Sequence, residues 1–500
     1  MPTAAVPLTE GQMSGLEELA GAPPRMLNCL VSGAEVDKRC IRTRPGVTTW
    51  AGFPTSAPIA SPVIGMFPFW NWLVFVTQDQ VTDTAQTAVT DRTTGVRKLW
   101  ACDGNGGYIA LSDTTAATQL SGSLRPTFTH VGVRTTSRLL VAGGGTIQQW
   151  NGAGLSSNLG GSPPKSTHVA TLDDRALASV YDRTGQFYVT DKSNSGSPDP
   201  YESTWINIIT AEARPDPLAA LHDNTNEAFL FGTTTTQVYV PDAALKLVGA
   251  RTINLGCGAP YSVIQLDQEF AWLDHQRRLV VSDGRQVEYI SSPVMDETLA
   301  KIGTVSDCWG FRANIGSYDC GVWVFPTDNR AFCYEENSET WSEWRSYDNN
   351  VGWIAPAIRS YVNWPEKNLH LVGLSDGTIA QLSLDVGTES SNAVPVQLVS
   401  GFIDRGTLDP KHSTYLELLL RRGVGTIGST APLIDVAWRD DLGPFSKPLR
   451  ASVGNAGDYA VTATFGPLGT YQSRQWRISY SASYPLTLVK AIETYEVSVL

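Results

Sequence analysis

Hydrophobic and polar positions alternate along most of this chain, and the alternation is broken at short intervals by turn-forming residues. Residues 321–347, GVWVFPTDNRAFCYEENSETWSEWRSY, show the pattern most completely. Val322, Val324, Phe332 and Tyr334 recur at period two on either side of Pro326-Thr327-Asp328-Asn329, and Trp341 and Trp344 follow a second polar turn. This predicts three short antiparallel strands. Similar turns recur with central residues Gly106, Gly144, Gly185, Gly232, Gly284, Asn329 and Gly377, separated by 38, 41, 47, 52, 45 and 48 residues. Alternating runs flank them: Leu139–Val141 with Ile147–Trp150, Phe229–Phe231 with Gln237–Val240, and Leu369–Val372 with Thr378–Leu382. For the fifth unit, the turn near Gln276 between Phe270–Leu273 and Leu279–Val281 is an alternative to Gly284. A period of roughly 40 to 50 residues with about four strands per unit predicts a β-propeller, here of six or seven blades.

The pattern changes in four places. Ser292-Pro293 followed by Asp296 and Glu297 has the cap, proline and early acids of a helix start, predicting a short helix to about Ile302 between two blades. A polar connection around 386–398 separates the propeller from Tyr415–Leu418, Leu433–Trp438, Gln475–Tyr480 and Thr494–Val499, which predict a separate β-sandwich. At the other end, Ser14 and Glu17 have capping-box spacing for a marginal helix, and 28–46 carries two strand-like runs ending in Arg44-Pro45-Gly46. The apolar run Pro58–Val76 contains Pro58, Pro62, Pro68 and Asn71, so it is expected in a sheet rather than across a membrane. The resulting all-β organisation is an N-terminal extension and hairpin (1–46), a β-propeller (47–390) and a C-terminal β-sandwich (391–500).

Composition sharpens this. Forty-five glycines and 29 prolines in 500 residues suit many turns. The net charge of −12 argues against a surface that grips DNA phosphates, which requires clustered Lys and Arg. Seven cysteines form no CxxC pair and leave one over, so neither a zinc site nor a disulfide framework is signalled, and buried thiols are expected. The N-terminus lacks the pattern of a secretory signal.

Two stretches carry a family resemblance. In the final domain, Trp438-Arg439-Asp440-Asp441-Leu442-Gly443-Pro444-Phe445, then Gln475–Ser479 and Pro485–Leu488, resemble the last domain of the packaged-DNA stabilisation proteins, the tail hub or nozzle proteins of short-tailed bacteriophages. In the propeller, Thr210-Ala211-Glu212-Ala213-Arg214-Pro215-Asp216-Pro217 ahead of Ala228–Gly232 and Gln237–Tyr239 is similar to that family's acidic-Pro-Asp segment and following strand. The segment ending Arg42–Gly46 and the helix after Ser292 keep the family order, whereas Leu442 and Pro444 depart from it. The resemblance implies a virion protein made in the host cytoplasm. It also implies a hexameric ring below portal and adaptor that extends and closes the DNA channel, contacts tailspike or fibre proteins, and lets double-stranded DNA pass without membrane insertion.

Catalytic chemistry is weakly signalled. His222-Asp223 and Asp274-His275 are adjacent pairs, and neighbours on a strand face opposite ways, so both are expected to be loop or strand-end polar residues. Ser282–Gly284 and Ser375–Gly377 resemble in part the Asp-containing turns of sialidase propellers, which are structural. Glu335, Glu336, Glu339 and Glu343 make an acid and base pair only if the fold brings them together. Trp341, Trp344, Trp438 and Trp476 alternate with polar residues at strand period and are assigned to core faces. No catalytic, cofactor-binding or metal-ligating residue is assigned, no cofactor is expected, and the partner-binding residues are unknown. The chain is therefore read as a non-enzymatic structural protein; the alternatives are a glycan-binding or glycan-cleaving propeller and a cytoplasmic scaffold.

Overall fold

The computed structural model describes residues 3–9, 25–33, 39–53, 61–78, 97–113, 115, 117–132, 137–181, 185–190, 205–209, 216–242, 247–348, 351–389, 392–421, 431–455, 457–458 and 460–498. Among these, seven four-stranded antiparallel units follow one another round an axis. The innermost strands of blades 1 to 7 are Val63–Phe69, Thr127–Val131, Val169–Leu172, Leu218–Asp223, Ile264–Leu266, Trp309–Ile315 and Ile358–Trp364. Blades 1 to 6 are each completed by the three strands that follow in sequence. Blade 7 takes only Leu369–Leu374 and Ile379–Ser383 from its own stretch. Its outermost strand is Gly46–Thr49 from near the N-terminus, with Leu382 opposite Val47. This closes the ring non-covalently and covers an edge that would otherwise template aggregation. Glycine is required at position 46, because a Cβ there would lie 2.4 Å from the Val386 carbonyl oxygen.

The alternation works as expected. Trp341 and Trp344 are buried, and Trp323 packs at a tilt against Trp341 on the blade 6 face that shares a core with blade 5. Two of the seven sequence landmarks are not equivalent to the rest. Gly144, Gly185, Gly232, Asn329 and Gly377 lie between second and third strands, whereas Gly106 and Gly284 lie between third and fourth strands. In blade 5 the Gln276 turn is the equivalent one, and in blade 1 the equivalent turn falls outside the described residues. Third-to-fourth turns carry the same Asp and Gly chemistry, so composition does not separate them. The helix (α1, Pro293–Ala300) lies between blades 5 and 6, with Ser292 Oγ accepting from the Met295 N–H. The segment containing Ser14 and Glu17 lies outside the described residues.

The sandwich corrects the expectation of a separate C-terminal unit. One sheet combines Cys29–Ser32, Cys40–Thr43, Thr487–Val497, Lys411–Arg421 and Val461–Phe465, with Thr3–Ala5 added against Thr487–Val497. The facing strands Arg25–Leu27, Val396–Val399, Arg474–Tyr480, Leu433–Asp440 and Leu449–Ser452 continue directly from blade 6, because Leu27 pairs in parallel with Glu343. A nine-stranded sheet thus runs from propeller into sandwich. Val6, Met26, Cys29 and Val31 share one core with Leu416, Val436, Trp476 and Ile478. The C-terminal strands alone leave apolar faces and edges that the N-terminal strands cover. None of the seven cysteines forms a disulfide, and all but Cys40 are buried. No helix among the described residues is long and apolar enough to cross a membrane.

Candidate functional site

Two cavities lie along the propeller axis, and a buried polar joint ties the propeller to the sandwich. The axial cavity, of about 900 Å³, is lined by residues on or beside the inner strands of blades 1 to 5, including Phe67, Phe128, His130, His168, His222 and Asp223. His222 and Asp223 end the inner strand of blade 4 and are thus strand-end polar residues, as their sequence context predicts. That end faces the axis, so both line the same cavity. His222 packs among His168, Phe231 and Phe270, and burial lowers its pKa to about 4. Asp223 accepts the Thr171 N–H at 3.1 Å, while desolvation raises its pKa to about 6. Their local backbone directions make no acid–base relay, and the second carboxylate of the cavity, Asp174, sits on the tight turn after the blade 3 inner strand.

The second cavity, of about 260 Å³, opens at the face where inner strands begin. Arg97, Arg125, Arg359, Asp307, Tyr261 and Trp309 line it. Arg125 precedes blade 2 yet reaches across the mouth: its guanidinium lies 4.0 Å over the Trp309 ring of blade 6 and donates to the Arg359 carbonyl of blade 7. Below it, Tyr261 stacks on His168 with centroids 5.2 Å apart. Side chains from different blades thus meet across the mouth of the propeller axis.

At the joint, Arg44 and Glu389 form an ion pair at 2.5 Å with side chains 0% and 5% exposed. Arg44 Nε also donates to Asn28 Oδ1, and Asn28 Nδ2 donates to the carbonyls of Arg345 and Pro395. Glu389 further accepts Ser346 Oγ and the Ala357 N–H. Burial opposes its ionisation, but Arg44 and these donors outweigh it and hold the carboxyl below its usual range. Glu343 adds ion pairs to Arg25 at 3.0 Å and Arg330 at 2.9 Å. Glu335 is occupied by the Ser338 N–H at 2.7 Å. These two glutamates are thus committed to structure, with neither left as an acid or base.

The remaining polar candidates hold turns. Asp274 accepts the N–H groups of Gln276 and Arg278 and pairs with the Arg278 guanidinium at 3.0 Å. Asp283 accepts from Arg285 and Gln286, and Asp376 from Thr378. In the acidic-Pro-Asp segment, of which only Asp216 and Pro217 are described, Asp216 receives the N–H and hydroxyl groups of Thr233, Thr234 and Thr235. A Cβ at Gly232 would lie 2.3 Å from Asp216 Oδ2, so this clamp also requires the glycine.

Comparison with known proteins fits this architecture. Residues 106–339, from the end of blade 1 into blade 6, match the family Phage_stabilise, described as Bacteriophage P22 Gp10, beta-propeller. This stretch is similar to the phage-stabilisation propellers. No curated protein matches the chain. Among solved structures, an exo-beta-1,3-galactanase from Phanerochaete chrysosporium is 10% identical, with 90% of this chain and 100% of that one covered and a TM-score of 0.28. BamB from Moraxella catarrhalis is 11% identical, with 77% and 96% covered and a TM-score of 0.38. The Asp216 clamp lies within the matched stretch, whereas Arg125 and the axial placement of the histidines were missed in the sequence because nothing local marks a residue that will face an axis.

Proposed function

We propose that the chain is a structural subunit of a short-tailed phage particle, forming a tail hub or nozzle ring that extends the DNA channel below portal and adaptor and anchors fibres or spikes. The observation that carries this reading is the match of residues 106–339 to the phage-stabilisation propellers. Two features of the molecule support it. The nine-stranded sheet and the Arg44–Glu389 joint couple propeller and sandwich through a shared sheet and a buried ion pair, which suits a part that must hold position against packaged DNA. With Arg125 bridging the mouth of the axis, a duplex is left the lumen enclosed by several copies. With a net charge of −12, an acidic lumen wall repels phosphate by about 1 kcal/mol per close pair in water, so DNA slides rather than sticks. Cryo-electron microscopy of intact particles tests this: a closed ring of seven-bladed subunits between adaptor and tail tip is expected, and absence of the chain from the tail ends the proposal.

The axial cavity favours one second reading, a glycan-cleaving propeller, because Asp223 with a pKa near 6 has the acidity of a general acid. Hydrolysis of a glycan panel that disappears in Asp223→Asn would support it, and an inactive unmodified chain would dismiss it.

A further inference from the structure

The mouth cavity contains two half-buried arginines with no ion-pair partner among the described residues; Glu389, already paired to Arg44, acts on Arg359 only beyond ion-pair distance. Among the described residues, neither Arg125 nor Arg359 has a carboxylate within ion-pair distance. A guanidinium carries five N–H donors. Arg125 places one on the Arg359 carbonyl, and Arg359 Nη1 donates to the carbonyls of Pro356 and Ile358, while Arg359 Nε is buried with no acceptor. Burying a charge is costly unless it is paired and its donors are used, as they are for Arg44. Desolvation lowers the pKa of Arg125 to about 9 and also lowers that of Arg359.

Asp307 supplies the complementary deficiency. Its Oδ2 accepts the N–H and hydroxyl of Thr327 at 2.9 and 2.6 Å, but its Oδ1 is buried with no donor. The cavity thus presents unused donors from two arginines and an unused acceptor from an aspartate. A simple anion satisfies the first and leaves the second bare, and a phosphate dianion adds repulsion from Asp307. A monoanion bearing hydroxyl groups satisfies both. The volume of about 260 Å³ falls below the roughly 300–1,000 Å³ of sites for drug-sized ligands, so the occupant is small.

We propose that this mouth cavity is a binding site for a single hydroxylated carboxylate of the sugar-acid class, with Arg125 and Arg359 holding the carboxylate and Asp307 accepting a hydroxyl. The site stands independently of the tail reading. Calorimetric titration of the full chain with sodium D-glucuronate is expected to give saturable binding, with D-glucose, inorganic phosphate and a glutamate-containing peptide each about tenfold weaker or more. Arg359→Gln and Arg125→Gln are each expected to weaken glucuronate by about tenfold or more, since each removes charged hydrogen bonds. Asp307→Asn narrows the preference over phosphate. Should Arg125→Gln fail to fold, Arg359→Gln and the glucuronate-dependent rise in melting temperature of the unmodified chain carry the test. Absence of saturable glucuronate binding overturns the proposal, as does binding unchanged in Arg359→Gln. Binding of phosphate or the peptide as tight as that of glucuronate overturns it equally.

Discussion

The propeller–sandwich joint buries arginine and the propeller mouth half-buries it, and the two partner it in opposite ways. At the joint, Arg44 meets Glu389, Asn28 and the Pro45 carbonyl, and each of those partners has further bonds of its own. At the mouth, Arg125 has one carbonyl and the face of Trp309. Buried charge that is completely paired fixes one arrangement of the chain, whereas half-buried charge left short of partners is available to something else. The contrast separates structure from binding where residue type alone does not.

The largest expected effect comes from breaking the joint. Arg44→Met strands the Glu389 carboxylate and should cost about 3–5 kcal/mol in urea unfolding, while Arg44→Met combined with Glu389→Gln should recover part of the loss. Because the Glu389 pKa is depressed, its stabilisation is fully present above the ordinary glutamate range near pH 4.3 and is lost as pH falls through the lower folded value. Arg44→Met should therefore flatten that part of the acid limb.

The axial pair sharpens the comparison through pH, at about 2–3 kcal/mol per group. Asp223, raised to about 6, binds its proton more tightly in the folded chain, so its contribution falls as pH rises from about 4 to 6. His222, lowered to about 4, binds its proton more tightly when unfolded, so its contribution rises between about 4 and 6.5. The two slopes oppose each other. Relative to the unmodified chain, Asp223→Asn should gain stability with rising pH in this window and His222→Phe should lose it, measured by melting temperature across buffers.

Asp216→Asn removes part of a paired, largely buried cluster within a single blade, and about 1–3 kcal/mol is expected by thermal unfolding. The smallest effect is expected at Leu442, which is 64% exposed with φ of 66°. Leu442→Gly should stabilise by about 1 kcal/mol, because the left-handed region costs a β-carbon-bearing residue that much. A destabilised Leu442→Gly in calorimetry would mean that this side chain is held by contacts the fold does not display.

Particular residues show how much was legible beforehand. Val322, Val324, Phe332 and Tyr334 announced their strands through period two, and Ser292 announced its helix through a local cap, since both signals act over a few residues. Asp274, Asp283 and Asp376 could be assigned to turns because an aspartate accepts N–H groups two to four positions onward. His222 and Asp223 were correctly placed at a strand end, but not on the axis. Arg125 gave no signal, because its partners are 184 and 234 positions away on other blades.

The sequence by itself determined the strands, their turns, the repeat and therefore a radial β architecture with a terminal sandwich, because alternation and turn chemistry are local properties. Only the tertiary structure decided that Gly46–Thr49 closes blade 7, that strands from both ends of the chain build the sandwich, and which buried charges meet partners. Those outcomes depend on which distant edges and faces remain uncovered once the local elements have formed, and hydrogen-bonding capacity at an edge carries no sequence address.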